Sequence, residues 1–110
     1  MAFRFDKFTL KAQEAVQQAQ ELAADRGNPQ IDPLHLLGAL VDESEGIVRP
    51  LLGKIGANRE QLKTTVDAEI DHLPKISGGS SPQLSDALSR VFEAAHAEAA
   101  TMKDEFVSAE

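Results

Sequence analysis

From Leu10 onward the apolar residues recur at helical spacing. Ala12, Ala15, Val16, Ala19, Leu22 and Ala23 fall on one face, with Lys11, Gln13, Glu14, Gln17 and Gln20 on the others. Thr9 is placed to cap this helix and Arg26-Gly27-Asn28-Pro29 to stop it. A second helix is predicted from Asp32, an N-cap followed by Pro33 at the first helical position, where the missing N–H costs nothing. Leu34, Leu36, Leu37, Leu40 and Val41 make it an element expected to be largely buried. After the acidic break Asp42-Glu43-Ser44-Glu45 comes a short apolar helix over 47–52, stopping near Gly53. Asn58 caps a fourth helix, with Gln61 three positions on as a capping box requires. Its stripe is Leu62, Val66, Ile70 and Leu73, and Pro74 ends it. Residues 76–82, ISGGSSP, read as a flexible linker of turn formers. A fifth helix opens at Ser85 or just before, buries Leu88, Val91, Phe92, Ala95 and Ala99, and ends near Lys103-Asp104, and Ser108 reads as the cap of another. The predicted fold class is all-α.

The pattern repeats. A shift of 76 residues lays Thr9 on Ser85, Ala12 on Leu88, Val16 on Phe92, Ala19 on Ala95 and Ile31-Asp32-Pro33 on Val107-Ser108-Ala109. Only three of the 23 positions from Thr9 to Ile31 are identical, so identity alone is weak evidence. The register is stronger: cap lies on cap and apolar on apolar, with the interval between helices unchanged. The expected organisation is one domain over 1–110, with a four-helix repeat over about 5–73, a linker over about 75–83 and a partial second repeat over about 84–110. On equal repeats the second unit is expected to lack roughly 35–40 residues. The outer side of the fifth helix, including Val107, is then expected to be exposed, so that this region self-associates or frays.

Composition narrows the function. With 42% hydrophobic and 26% charged residues the chain is globular rather than disordered. Five Phe and no Trp or Tyr leave the core to Leu, Ala, Val and Ile, which suits closely approaching helices. The net charge of −7, without a basic stripe, makes nucleic acid and membrane surfaces poor partners. The absence of cysteine removes disulfides, thiolate catalysis and Cys-ligated zinc, and it fits a cytoplasmic protein. The first seven residues build no signal-peptide run, and no stretch approaches the ~18 apolar residues of a membrane span.

Catalytic chemistry finds no candidate. Leu52-Gly53-Lys54-Ile55 lacks the upstream glycine and the hydroxyl of a P-loop. His35, His72 and His96 include no i, i+4 pair, so metal ligation is not expected, and His35 is expected to find a hydrogen-bond partner within its Leu-rich helix. Asp42-Glu43 and Asp104-Glu105 read as solvated loop carboxylates. Catalytic, cofactor-binding and metal-binding residues are therefore none. If the two long helices pack antiparallel about a pseudo-twofold, Thr9 neighbours Asp104, with Glu110 nearby.

Asp6-Lys7-Phe8-Thr9 leading into an Ala-rich helix, followed by Ile31-Asp32-Pro33-Leu34-His35-Leu36-Leu37-Gly38-Ala39-Leu40, resembles the Clp N-terminal repeat. Ile-Asp-Pro-Leu-His-Leu-Leu, the Asn58 cap and Leu73-Pro74 are closer to the ClpB-type disaggregase branch than to the ClpA or ClpC branches. The resemblance implies a domain of two pseudo-twofold four-helix units, placed ahead of two ATPase rings in a hexameric, stress-responsive parent. That parent would use ATP and Mg²⁺, with no cofactor in this chain. The implied partners are unfolded or aggregated polypeptides, bound transiently. By position in the family pattern, Thr9, Asp104 and Glu110 fall on polar positions of client contact, and Phe92 on a lining position of an apolar groove. Each also has a purely structural account: a helix cap, a solvated loop, a helix-dipole partner and a core residue. The alternative is an adaptor-docking domain of a protease-coupled Clp ATPase.

Overall fold

A computed structural model describes residues 8–43, 47–76, 81–102 and 107. Five helices account for most of these: α1 (Leu10–Asp25), α2 (Pro33–Asp42), α3 (Val48–Lys54), α4 (Arg59–Asp71) and α5 (Asp86–Thr101). The all-α expectation holds, with one addition. Two short strands, β1 (Gln30–Ile31) and β2 (Gln83–Leu84), pair in parallel. At two residues each, neither is long enough to impress an alternating pattern on the sequence.

The helix ends follow the chemistry of their caps. Thr9 Oγ1 accepts the Ala12 N–H at 3.2 Å and Ser85 Oγ accepts the Leu88 N–H at 3.0 Å. At the other end of α1, Gly27 takes φ +74°, the left-handed conformation that a Cβ opposes. It donates to Ala24 O while Asn28 N–H donates to Ala23 O, the two bonds of a Schellman stop. Gly56, at φ +77°, and Ala57 end α3 in the same way. Asn58 Oδ1 accepts the Gln61 N–H, but the reciprocal capping box forms elsewhere. At α2 the Asp32 side chain caps the first turn, and His35 Nδ1 accepts the Asp32 N–H at 2.8 Å. An imidazole there takes the place usually held by Glu or Gln.

The core is built on the small face of α1. Ala12, Ala15, Ala19 and Ala23 are buried, and α2 lies across that helix. Gly38 lets the crossing close, since a Cβ there would meet Leu22 Cδ2 at 3.3 Å and Val66 Cγ1 at 3.5 Å. Val66 and Ile70 of α4 complete that side, and Leu88 and Phe92 of α5 close the other. Burial of α2 is narrower than its leucines suggest: His35, Ala39 and Val41 are buried, while Leu37 is exposed. α3 buries no residue at all.

The repeat is visible in the backbone. Ile31 pairs with Leu84, and Ser85 N–H donates to Ile31 O at 3.1 Å. Adding 76 to Ile31 gives Val107, and subtracting it from Leu84 gives Phe8. Those two residues form a parallel bridge, with Thr9 N–H donating to Val107 O at 2.8 Å. One strand contact is thus the image of the other. This also corrects an expectation. Val107 is not exposed but 8% accessible, because it fills the place beside Phe8 that Ile31 fills beside Leu84. Val91 does remain exposed, and Ala95 and Ala99 are half-buried.

Candidate functional site

Where α1, α2 and α5 meet, their side chains do not close on one another. They leave a pocket of about 220 Å³. Ala12, Ala15 and Val16 of α1 form its floor, with Leu36 and Leu40 of α2 on one wall and Val91, Phe92 and Ala95 of α5 on the other. Phe8 and Val107, the bridged pair, complete the lining. No charged side chain contributes to the lining. Such a concavity rewards an apolar guest through area removed from water and offers no general acid, base or nucleophile.

Phe92 is 3% accessible and belongs to the core cluster while also lining the pocket. Its ring meets that of Phe8 edge to face, with centroids 5.4 Å apart and planes at 77°. Thr9 follows Phe8 directly, half-buried, with its hydroxyl held by the cap bond and its N–H by Val107. Asp104 and Glu110 lie outside the described residues. Val107, three positions from each in sequence, is the described residue between them and contacts Thr9 through the backbone. The periodicity reading had not named Leu36 and Leu40 as pocket residues. Leucines spaced four apart on α2 looked like core, and only the half-burial of both shows a second use.

The histidine of α2 is structural. His35 is fully buried; Nδ1 accepts from Asp32 N–H, and Nε2 lies 2.9 Å from Asn28 Oδ1. An Nδ1 that accepts leaves the proton on Nε2, which then donates to Asn28. Asn28, also buried, passes the chain on through Nδ2 to Pro74 O at 2.9 Å. Burial pushes the imidazole below its ordinary 6.5 against the opposing pull of the Asp32 carboxylate. The network ties the end of α1, the start of α2 and the end of α4 together. Among the described residues no cluster of His, Cys, Asp or Glu could hold a metal ion, and no helix is long and apolar enough to cross a membrane.

A domain built on repeated helical units about a short parallel strand pair, with an apolar pocket between them, has relatives. The model of the Clp repeat (R) N-terminal domain matches residues 7–110, and the chain belongs to that family. The chaperone protein ClpB of Rhodopirellula baltica is 44% identical over 110 residues, all of this chain and 12% of that protein. The Hsp104 N-terminal domain of Candida albicans superposes with a TM-score of 0.83 at 22% identity, covering 93% of this chain and 67% of that one. The N-domain of ClpV in complex with a VipB peptide does so at 0.80 and 21% identity, covering 94% and 62%. The chain thus spans about 12% of the length of the curated relatives it matches.

Proposed function

We propose that this chain is the client-engaging N-terminal domain of a ClpB-type, ATP-dependent disaggregase, holding unfolded or aggregated polypeptide transiently and doing no chemistry itself. The observation that carries the reading is the uncharged pocket of about 220 Å³ beside the Thr9 cap. The ClpB relatives support it, as does a peptide complex of the structurally similar ClpV N-domain. In this reading Phe92 forms the apolar wall, and Thr9, Asp104 and Glu110 make a polar rim. ATP and Mg²⁺ serve the remainder of a cytoplasmic, hexameric parent. The two repeats, over about 5–73 and from about 84, act as halves of one domain with the pocket at their junction.

A single Leu or Phe seated in the pocket gains about 1.5–3 kcal/mol from area. Ordering a flexible chain consumes part of that gain, so the affinity is expected to be micromolar or weaker. Such binding suits a domain that captures and then releases. The test is a titration of the 110-residue chain with one protein in two states, native and permanently unfolded by reduction and alkylation. The unfolded state should bind and the native state should not. Val91→Glu, at an exposed lining position, should weaken binding while leaving thermal stability within about 0.5 kcal/mol. Binding confined to native, folded partners would replace this reading with adaptor docking.

A further inference from the structure

His35 sits at a joint between two parts of the fold. It is fully buried in the first turn of α2, and the next residue, Leu36, belongs to the pocket wall. Asp32, whose N–H the ring accepts, directly follows Ile31, which pairs with Leu84 and takes the Ser85 N–H at 3.1 Å. One imidazole therefore braces the turn that leads from the strand contact to the pocket. The other bonds of that turn are few. The Asp32 carboxylate accepts the Leu34 N–H at 3.0 Å, and Asp32 O takes the His35 N–H at 2.9 Å but the Leu36 N–H only at 3.4 Å.

The ring can brace the turn in one protonation state only. A backbone N–H is always a donor, so the Asp32 amide, 2.8 Å from Nδ1, requires a lone pair there. On the other side Nε2–H donates to Asn28 Oδ1, and Asn28 is itself anchored to Pro74 O. A second proton has only Nδ1 to occupy, where it would face the Asp32 N–H, donor against donor. That bond would be lost, and the ring or the turn would have to move. The facing charges do not remove the conflict. Burial opposes the proton most strongly, the Asp32 carboxylate at the cap of α2 favours it, and Arg26 at the end of α1 opposes it. From α4, Asp67 and Asp71 pair with Arg26, and His72 ends that helix at the surface. The ring takes its proton below the ordinary 6.5.

We propose that His35 is a positioning residue for the client pocket: its neutral ring, through the Asp32 amide, holds Leu36 in the wall, and acid releases it. The inference rests on reading the pocket as the client site. Above pH 6.5 the ring is neutral, the capping box is closed and the wall is complete. As the pH falls below 6.5 the fraction of domains with a neutral ring declines, and the apparent affinity for client declines with that fraction. By reciprocity, a bound client makes the ring harder to protonate. Leu40 lies one turn further along α2, beyond the Gly38 crossing with α1, and keeps its place. Acid thus weakens the grip on client before the domain comes apart.

The test follows amide spectra of the labelled 110-residue chain from about pH 7.5 to about pH 5, with circular dichroism at each step to confirm the fold. The probe is an unfolded synthetic peptide of Leu, Phe, Ser and Gln with blocked ends, in which nothing titrates over that range. Its affinity should fall at least about twofold across the range. Without peptide, the Ile31 and Leu36 amides should move together while that of Leu40 holds. In His35→Gln the side-chain oxygen can still accept the Asp32 N–H, as in the usual capping box, but nothing there titrates. This variant should bind at pH 7.5 within about twofold of the parent and lose no affinity in acid. His72→Gln, at the surface, should keep the parent's full loss. Equal losses in the parent and His35→Gln, a loss that His72→Gln removes, an affinity unchanged while Leu36 moves, or unfolding in one step with no earlier movement of Leu36 would each overturn the proposal. A peptide that fails to bind even at pH 7.5, while Leu36 still titrates in the parent, would overturn the client reading instead.

Discussion

Replacing Asn28 by Ala should destabilise the domain by about 2–4 kcal/mol, although Asn28 lies in a loop and touches no ligand. Its side chain joins three elements: Oδ1 accepts from His35 Nε2–H at 2.9 Å, and Nδ2–H donates to Pro74 O at 2.9 Å. Truncation leaves the His35 donor fully buried without an acceptor, a penalty of about 1–3 kcal/mol. Loss of the bond to Pro74 adds roughly 0.5–1.5 kcal/mol. The backbone N–H of Asn28, which stops α1 by donating to Ala23 O, is untouched by the substitution. The loss therefore reports the side chain alone. Against a total stability of about 5–15 kcal/mol for a small domain it is large. It corresponds to a fall in melting temperature of at least about 8 °C. With no Trp or Tyr, unfolding in urea is best followed by far-ultraviolet circular dichroism. A loss below about 0.5 kcal/mol would refute the reasoning, because it would mean that water satisfies the imidazole as well as the amide does.

Three further outcomes follow from the same structure. His35 is held neutral below its ordinary 6.5, so the unfolded chain takes up its proton first as the pH falls. Stability should be fully present above about pH 6.5 and decline below it, with a slope of at most about 1.4 kcal/mol per unit that His35→Gln removes; an unchanged slope in the variant would reassign it. Thr9→Ala should cost about 1 kcal/mol through the lost bond to Ala12 N–H and should also weaken client binding; a stability loss at unchanged affinity would leave Thr9 a cap and nothing more. Duplex DNA should show no measurable association at physiological salt with a chain of net charge −7, and a micromolar, salt-sensitive isotherm would contradict the choice of partner class.

Local chemistry announced the helices plainly. Thr9, Asp32, Asn58 and Ser85 all cap where a short polar side chain precedes an apolar period, and Gly27 stops α1 where only a left-handed residue fits. The 76-residue register likewise lays Ile31 on Val107, while the equivalence of Phe8 and Leu84 shows only in the strand contacts they make. What escaped was non-local. The buried network from His35 through Asn28 to Pro74 joins residues up to 46 positions apart, and no periodicity encodes such a link. Burial of Val107 was misjudged because a helix-face argument ignores a strand partner contributed from the other end of the chain. The sequence marks α3 as an apolar helix without assigning it a face, and Ile47, Leu51 and Ile55 are exposed, because composition alone does not say which side of a short helix packs. The pocket depends on how α2 and α5 diverge over α1, a tertiary fact that Leu36, Leu40 and Val91 do not carry individually.

The central claim is that the pocket between α1, α2 and α5 receives unfolded chain, and amide spectra of the labelled domain test it most directly. Titrated with a permanently unfolded polypeptide, the domain should shift Thr9, Ala12, Val16, Leu40, Val91 and Ala95 together, with one affinity in the micromolar range or weaker. Amides of α3 should stay in place. Shifts that leave those six residues unmoved, or that appear equally with the native form of the same polypeptide, would contradict the account.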